Sequence, residues 1–268
     1  IRYPLSAIRL TYVKFFIPII KGELMFSRNI QPAIFDLGYK AAFVFLITGV
    51  ISLFLPLEAP APTQSAAELW LNTEAVGYLF GWLNQVILMF SSSVVLLVAG
   101  LLIYSSAPLR AGAVWVLTLM STLVYLMSKF LSLWSVPLTV KAISAENAVA
   151  SSAQSILVTL GPNEAFGLVP SIDYLGFWLY GLIVLLLFRP LFRQSLSAKI
   201  AAIALLMYGI LFHLVYVAVV VDLLGQSDVG DAFFLINFLV LIAVIALLFR
   251  FRGSRGDTIQ PTLGSVAS

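Results

Sequence analysis

The amino-acid sequence predicts an all-α protein: a polytopic integral membrane helical bundle of six transmembrane helices, with the N and C termini cytoplasmic. Three observations predict it. Of the 268 residues, 61% are hydrophobic and only 10% are charged, whereas soluble domains average about 45–50% and 25%. A soluble fold has too little interior to hide that much apolar surface. The apolar residues also gather into six segments, and about 20 residues of helix suffice to cross roughly 30 Å of hydrocarbon. Finally, the charges sort by side once six crossings are drawn. With the N-terminus inside, the cytoplasmic segments hold Arg2, Arg9, Lys14, Lys21, Arg28, Lys40, Arg110, Arg189, Arg193, Lys199, Arg250, Arg252 and Arg255. Of the 15 basic residues, only Lys129 and Lys141 fall elsewhere. The opposite side holds Glu58, Glu68, Glu74, Glu146, Glu164, Asp173, Asp222, Asp228 and Asp231. Lys and Arg bias sets orientation, and an odd number of crossings would scramble this segregation.

Composition closes several function classes. The net charge of +3 is an orientation signal, so nucleic acid is not expected as a partner. With no cysteine, thiolate metal sites, disulfides and cysteine nucleophiles are excluded. A single histidine rules out histidine-only metal clusters and bis-histidine haem, and no metal site is predicted. No carboxylate pair lies within a span, and no HExxH, GxSxG or Walker-type loop occurs, so no catalytic residue is assigned.

Taken in order, residues 1–38 read as a basic amphipathic interfacial arm. Arg9 and Lys14 mark its polar face and Pro4, Pro18 and Pro32 divide it; it is suited to anionic headgroups or to wrapping a partner subunit. The six-helix domain then occupies 39–252, with spans at Tyr39–Leu57, Ala75–Tyr104, Ala111–Ser135, Tyr174–Phe192, Ala198–Leu223 and Ala232–Phe251. Pro56 ends the first. The second is long enough to tilt, kink or protrude, and Ser91-Ser92-Ser93 marks a bend or a close-packing point within it. The inner connections at 105–110 and 193–197 are tight. The outer loops at 58–74 and 136–173 are long, and Lys141 to Leu160 reads as a helix over the outer face, broken by Gly161-Pro162-Asn163. The polar stretch 253–268 reads as a disordered cytoplasmic tail. Tyr78-Leu79-Phe80-Gly81-Trp82-Leu83 resembles Tyr174-Leu175-Gly176-Phe177-Trp178-Leu179. Two aromatic interface belts explain this better than duplicated hairpins do.

The third span is expected at the centre. Thr118, Ser121, Tyr125, Ser128 and Ser132 recur at spacings of 3 and 4, which stacks them on one face. Lipid tails cannot satisfy hydroxyls, so such a stripe turns toward other helices.

The polar residues inside spans share the outer half of the membrane: Asn84, Gln85, Ser128, Lys129, His213, Tyr216 and Asn237. Charge at mid-bilayer costs about 2.5–3.5 kcal/mol even on insertion scales. Lys129 is therefore expected to snorkel or to pair with an outer acid such as Asp222, or else to contact a substrate, an anion or a partner. His213, with Gly209 four residues before it and Tyr216 three after, is expected beside a small recess. It is also the one residue able to ligate a single tetrapyrrole, a less favoured reading than a plain hydrogen bond. Together the seven suggest a shallow pocket open to the outside, although interhelical hydrogen bonding alone would give the same depth.

Two functions lead, and a membrane enzyme acting on lipid, with His213 as its only base within the bilayer, ranks third. The chain reads as an accessory or structural subunit of a larger membrane complex, packing through helix faces and external loops. The alternative is a small-solute transporter or channel using the outer pocket. Membrane lipids and other membrane subunits are the expected partners, bound lipids the expected small molecules, and a bacterial inner membrane the expected location.

Overall fold

The computed structural model describes residues 31–145, 148–164, 167–225 and 228–256. The arm expected over 1–38 lies outside the described residues up to residue 30, and the tail does from 257 onward. Among the described residues the chain is all-helical, and six helices are long and apolar enough to cross a membrane.

Helix α1 runs from Gln31 to Ser52, so its first turns occupy the last part of the stretch assigned to the arm. Asp36 and Lys40 form an i,i+4 pair at 2.7 Å on that extension. Helix α2 spans Gln64–Thr73 and is capped by the Thr63 hydroxyl, a side-chain acceptor for an otherwise orphaned N–H. Helix α3 runs unbroken from Ala75 to Tyr104. Its three serines do not interrupt it. They donate back to carbonyls three or four residues earlier and sit buried at a helix contact.

The third span extends beyond Ser135. Helix α4 covers Pro108–Phe130, a π-helical turn follows at Leu131–Ser135, and helix α5 continues over Val136–Ser144. Pro137 supplies the cause. It offers no N–H to the preceding turn and would clash with a carbonyl four residues back, so the ladder widens there instead of breaking. The external helix expected over Lys141–Leu160 is thereby split: its first residues belong to α5, and helix α6 spans Ala150–Leu160. Gly161 stops α6 in the left-handed conformation at φ 46°, where a Cβ would stand 2.7 Å from the Gly167 Cα. Helices α7 (Leu168–Phe192), α8 (Leu196–Val220) and α9 (Val229–Gly256) complete the chain. Helix α9 thus reaches into the stretch assigned to the tail.

The spanning helices form a closed ring. Each of α1, α3, α4, α7, α8 and α9 packs on its neighbour in chain order, and α9 returns to α1. Crossings are close because small residues occupy them. A Cβ on Gly38 would meet Val98 Cγ1 at 2.7 Å across α1 and α3, and one on Gly209 would meet Val184 Cγ2 at 2.8 Å across α8 and α7.

The bundle has two unlike ends. At the acidic end α2, α5 and α6 form a cap with its own core, in which Trp70, Tyr78, Val136, Ile143 and Leu157 are buried. Asn163 clamps the loops of this cap, donating to the Ala59 carbonyl at 2.7 Å and accepting from its N–H at 2.9 Å. At the basic end the Gln194 amide donates to the Leu102 carbonyl at 3.0 Å and joins the two tight turns. Between the ends, Val98, Ile103, Leu187, Leu191 and Leu247 belong to one apolar core.

Candidate functional site

The polar stripe of α4 positions the candidate site. Thr118, Ser121, Tyr125, Ser128 and Ser132 are all buried, and the face they share is turned mainly to α7. Ser121 donates to the Gly176 carbonyl at 2.9 Å and Ser128 to the Val169 carbonyl at 3.2 Å. Tyr125 lies against the bare backbone of Gly176, where a Cβ would be 2.8 Å from its ring. Any larger residue at 176 would force α4 and α7 apart.

Beside the stripe, Lys129 Nζ donates to Asp173 Oδ2 at 2.6 Å. Both side chains are largely withdrawn, at 9% and 16% exposure. The ammonium also stands 4.9 Å from the Trp82 ring centroid and 5.7 Å from that of Tyr125, within reach of a cation–π attraction. Asp173, not Asp222, is therefore the partner of Lys129. Helix α7 begins at Leu168, so Asp173 is already helical and shares a face with Gly176 three residues on. Asp222 instead occupies the turn after α8 at φ 62°. The pair adjoins the core of the cap through Trp82, which belongs to that core with Tyr78, and Tyr78 of α3 donates to the Ser132 carbonyl of the π-helical turn at 3.1 Å.

Three buried polar atoms at this pair make no well-aligned hydrogen bond: Asp173 Oδ1, Tyr125 Oη and Trp82 Nε1, the last standing close to the Tyr78 hydroxyl. Deeper in the bundle four polar side chains engage one another. Tyr180 Oη lies 3.0 Å from Ser92 Oγ and 3.2 Å from Ser93 Oγ, and Ser93 Oγ lies 2.7 Å from Thr122 Oγ1.

The other predicted residues are not drawn into this site. Asn84 donates to the Thr48 carbonyl at 2.9 Å and to Ser52 Oγ at 2.8 Å, and Gln85 donates to Ser52 Oγ at 3.1 Å. Both therefore fasten α3 to α1, the first span, which was not expected to contribute. His213 Nδ1 donates to the Gly209 carbonyl of its own helix at 2.6 Å, and its ring fills the space left by Gly181, whose Cβ would meet His213 Cε1 at 2.7 Å. The imidazole itself thus occupies the recess anticipated beside it. Tyr216 and Asn237 are exposed. Of the seven, only Ser128 and Lys129 share one site. Asp173, Trp82 and Tyr125 complete it, and of these only Tyr125 was marked by its spacing. Among the described residues, no three His, Asp or Glu side chains group as a metal ion would require.

Compared with protein-family models, curated proteins and solved structures, the chain matches none.

Proposed function

We propose that this chain is a packing subunit of a larger membrane assembly, set in a bacterial inner membrane with its basic end cytoplasmic. One observation carries this reading: the embedded polar groups are used to join one helix to the next. Asn84 and Gln85 hold α1, Ser121 and Ser128 hold α7, and Tyr78 holds the cap. Below them Ser92, Ser93, Thr122 and Tyr180 bond to one another across three helices, and a large apolar core packs around them. A bundle so filled offers surface rather than passage. The cap adds surface of its own, since Leu69, Ile156 and Val158 are exposed on α2 and α6. Other membrane subunits and lipids are the partners that such faces suit. Extraction in a mild detergent followed by native mass measurement tests the proposal. The expected result is this chain with a different membrane chain in fixed ratio. A monodisperse species containing this chain alone would overturn it. The visible spectrum of the same sample, expected to be featureless, tests a tetrapyrrole at His213.

A second reading, a transporter for a small polar solute, is favoured by the three atoms without a well-aligned hydrogen bond around Lys129 and Asp173, since a buried donor or acceptor left alone costs about 1–3 kcal/mol. On that reading, the charge-neutral double variant K129M/D173N keeps the fold and loses uptake into vesicles. On the first reading, it keeps both its fold and its partner.

A further inference from the structure

At the basic end, the turn between α3 and α4 meets the ends of α7 and α9 around a recess of about 550 Å³. Arg110, Arg189, Arg193 and Arg250 line it, joined by Gln194 and the hydroxyl-bearing Ser105 and Ser106, and no Asp or Glu lines it. Among the described residues, none of the four arginines stands within ion-pair distance of a carboxylate; the ion pairs are Lys40–Asp36 and Lys129–Asp173. Arg250 is held by neutral groups. It donates to Ser254 Oγ at 2.9 Å and reaches Gln194 Oε1 at 3.5 Å, while its buried Nε has no partner within the chain.

A cytoplasmic bias of Lys and Arg explains which side these residues occupy. It does not explain their convergence on one concavity, where like charges repel. Helix dipoles account for part of the arrangement, since Arg189 and Arg193 lie at the C-terminal end of α7, which favours cations. Arg110 is the contrary case. It sits in the first turn of α4, whose N-cap, Ala107, contributes no side-chain bond and also lines the recess. A cation there adds to the positive end of the helix, and an anion in the recess would relieve both.

We propose that this recess binds an anion carrying two phosphate groups. Guanidinium forks match phosphate oxygens bidentately, four of them exceed what one phosphate can neutralise, and the volume suits a ligand site of about 300–1,000 Å³. Leu102, Ala107 and Pro190 in the same lining give the carbon part of such a ligand an apolar wall. The source is either a two-phosphate lipid headgroup of the facing leaflet or a soluble diphosphate. The site is independent of the subunit reading.

The test uses the full chain, delipidated in an uncharged detergent. One arm adds inorganic pyrophosphate. The other transfers the protein to nanodiscs of phosphatidylcholine with or without cardiolipin. Binding is read in both arms. Arg189 and Arg193 are exposed, so R189Q/R193Q is expected to fold as the parent does while binding about tenfold or more weakly. R250Q is expected to weaken binding similarly. The control K199Q/R252Q removes two exposed charges that do not line the recess and is expected to bind as the parent does. A response to cardiolipin alone identifies the lipid source, and a response to pyrophosphate the soluble one. Absence of binding in both arms, recess variants that bind like the parent, or an equal loss in the control would each overturn the proposal.

Discussion

Lys129 and Arg250 stand at opposite ends of the bundle and meet opposite surroundings. Lys129 reaches an acid on the next helix of the ring and two aromatic faces. Arg250 reaches a serine and a glutamine, and shares its recess with three further arginines. Each setting tolerates a different kind of charge. Lys129 is largely withdrawn from solvent, so a lone ammonium there would be costly and its acid is built in. In the recess the guanidinium groups keep access to solvent, so the chain can leave their counter-charge to another molecule.

The largest expected effect follows from separating the acidic-end pair. K129M or D173N alone leaves one buried charge uncompensated and is expected to lower unfolding free energy by about 3–5 kcal/mol in mixed-micelle denaturation. The double variant is expected to recover much of that loss. If each single variant costs no more than an exposed pair, the acidic end is wetter than its burial indicates and the contrast fails. Next comes G176V. Its branched side chain would collide with Tyr125, and overpacking of this kind costs about 1–3 kcal/mol. Thermal unfolding would read it, with G112V on an open helix face as the comparison. Y78F removes the tie between α3 and the π-helical turn, a loss of about 1 kcal/mol. Faster proteolysis of the cap segments would be its signature, with the ring left intact. N84L is smaller still, about 0.6 kcal/mol by the average for interhelical bonds in a membrane. At the basic end, R189Q/R193Q is expected to change stability by no more than about 0.5 kcal/mol. A large destabilisation there would mean that the arginines hold the fold together, and the two ends would then be alike.

Much of the fold was legible because membrane physics leaves few choices. Six segments had to be helices, since an unsatisfied backbone cannot sit in hydrocarbon. The α4 stripe was legible for the same reason, and all five of its members are buried. The outer loop was less so. Val136-Pro137 reads locally as an end to the span, yet the helix passes through it by widening one turn. The partner of Lys129 was misplaced because Asp173 was assigned to a loop, when α7 begins five residues before it. Shared depth among Asn84, His213 and Asn237 suggested a common pocket, but depth fixes only one coordinate. Azimuth around each helix axis, and the order of helices in the ring, fix the other two.

The sequence alone therefore determined what the solvent dictates, namely helices long and apolar enough to cross a membrane and their number, because each is a one-dimensional consequence of transfer into lipid. Only the tertiary structure decided which polar groups meet. Closing the ring set α4 against α7, which placed Asp173 beside Lys129, and it brought arginines from three separate stretches to one recess. Meetings of that kind depend on how helices turn and pack against one another, and a linear pattern does not carry that information.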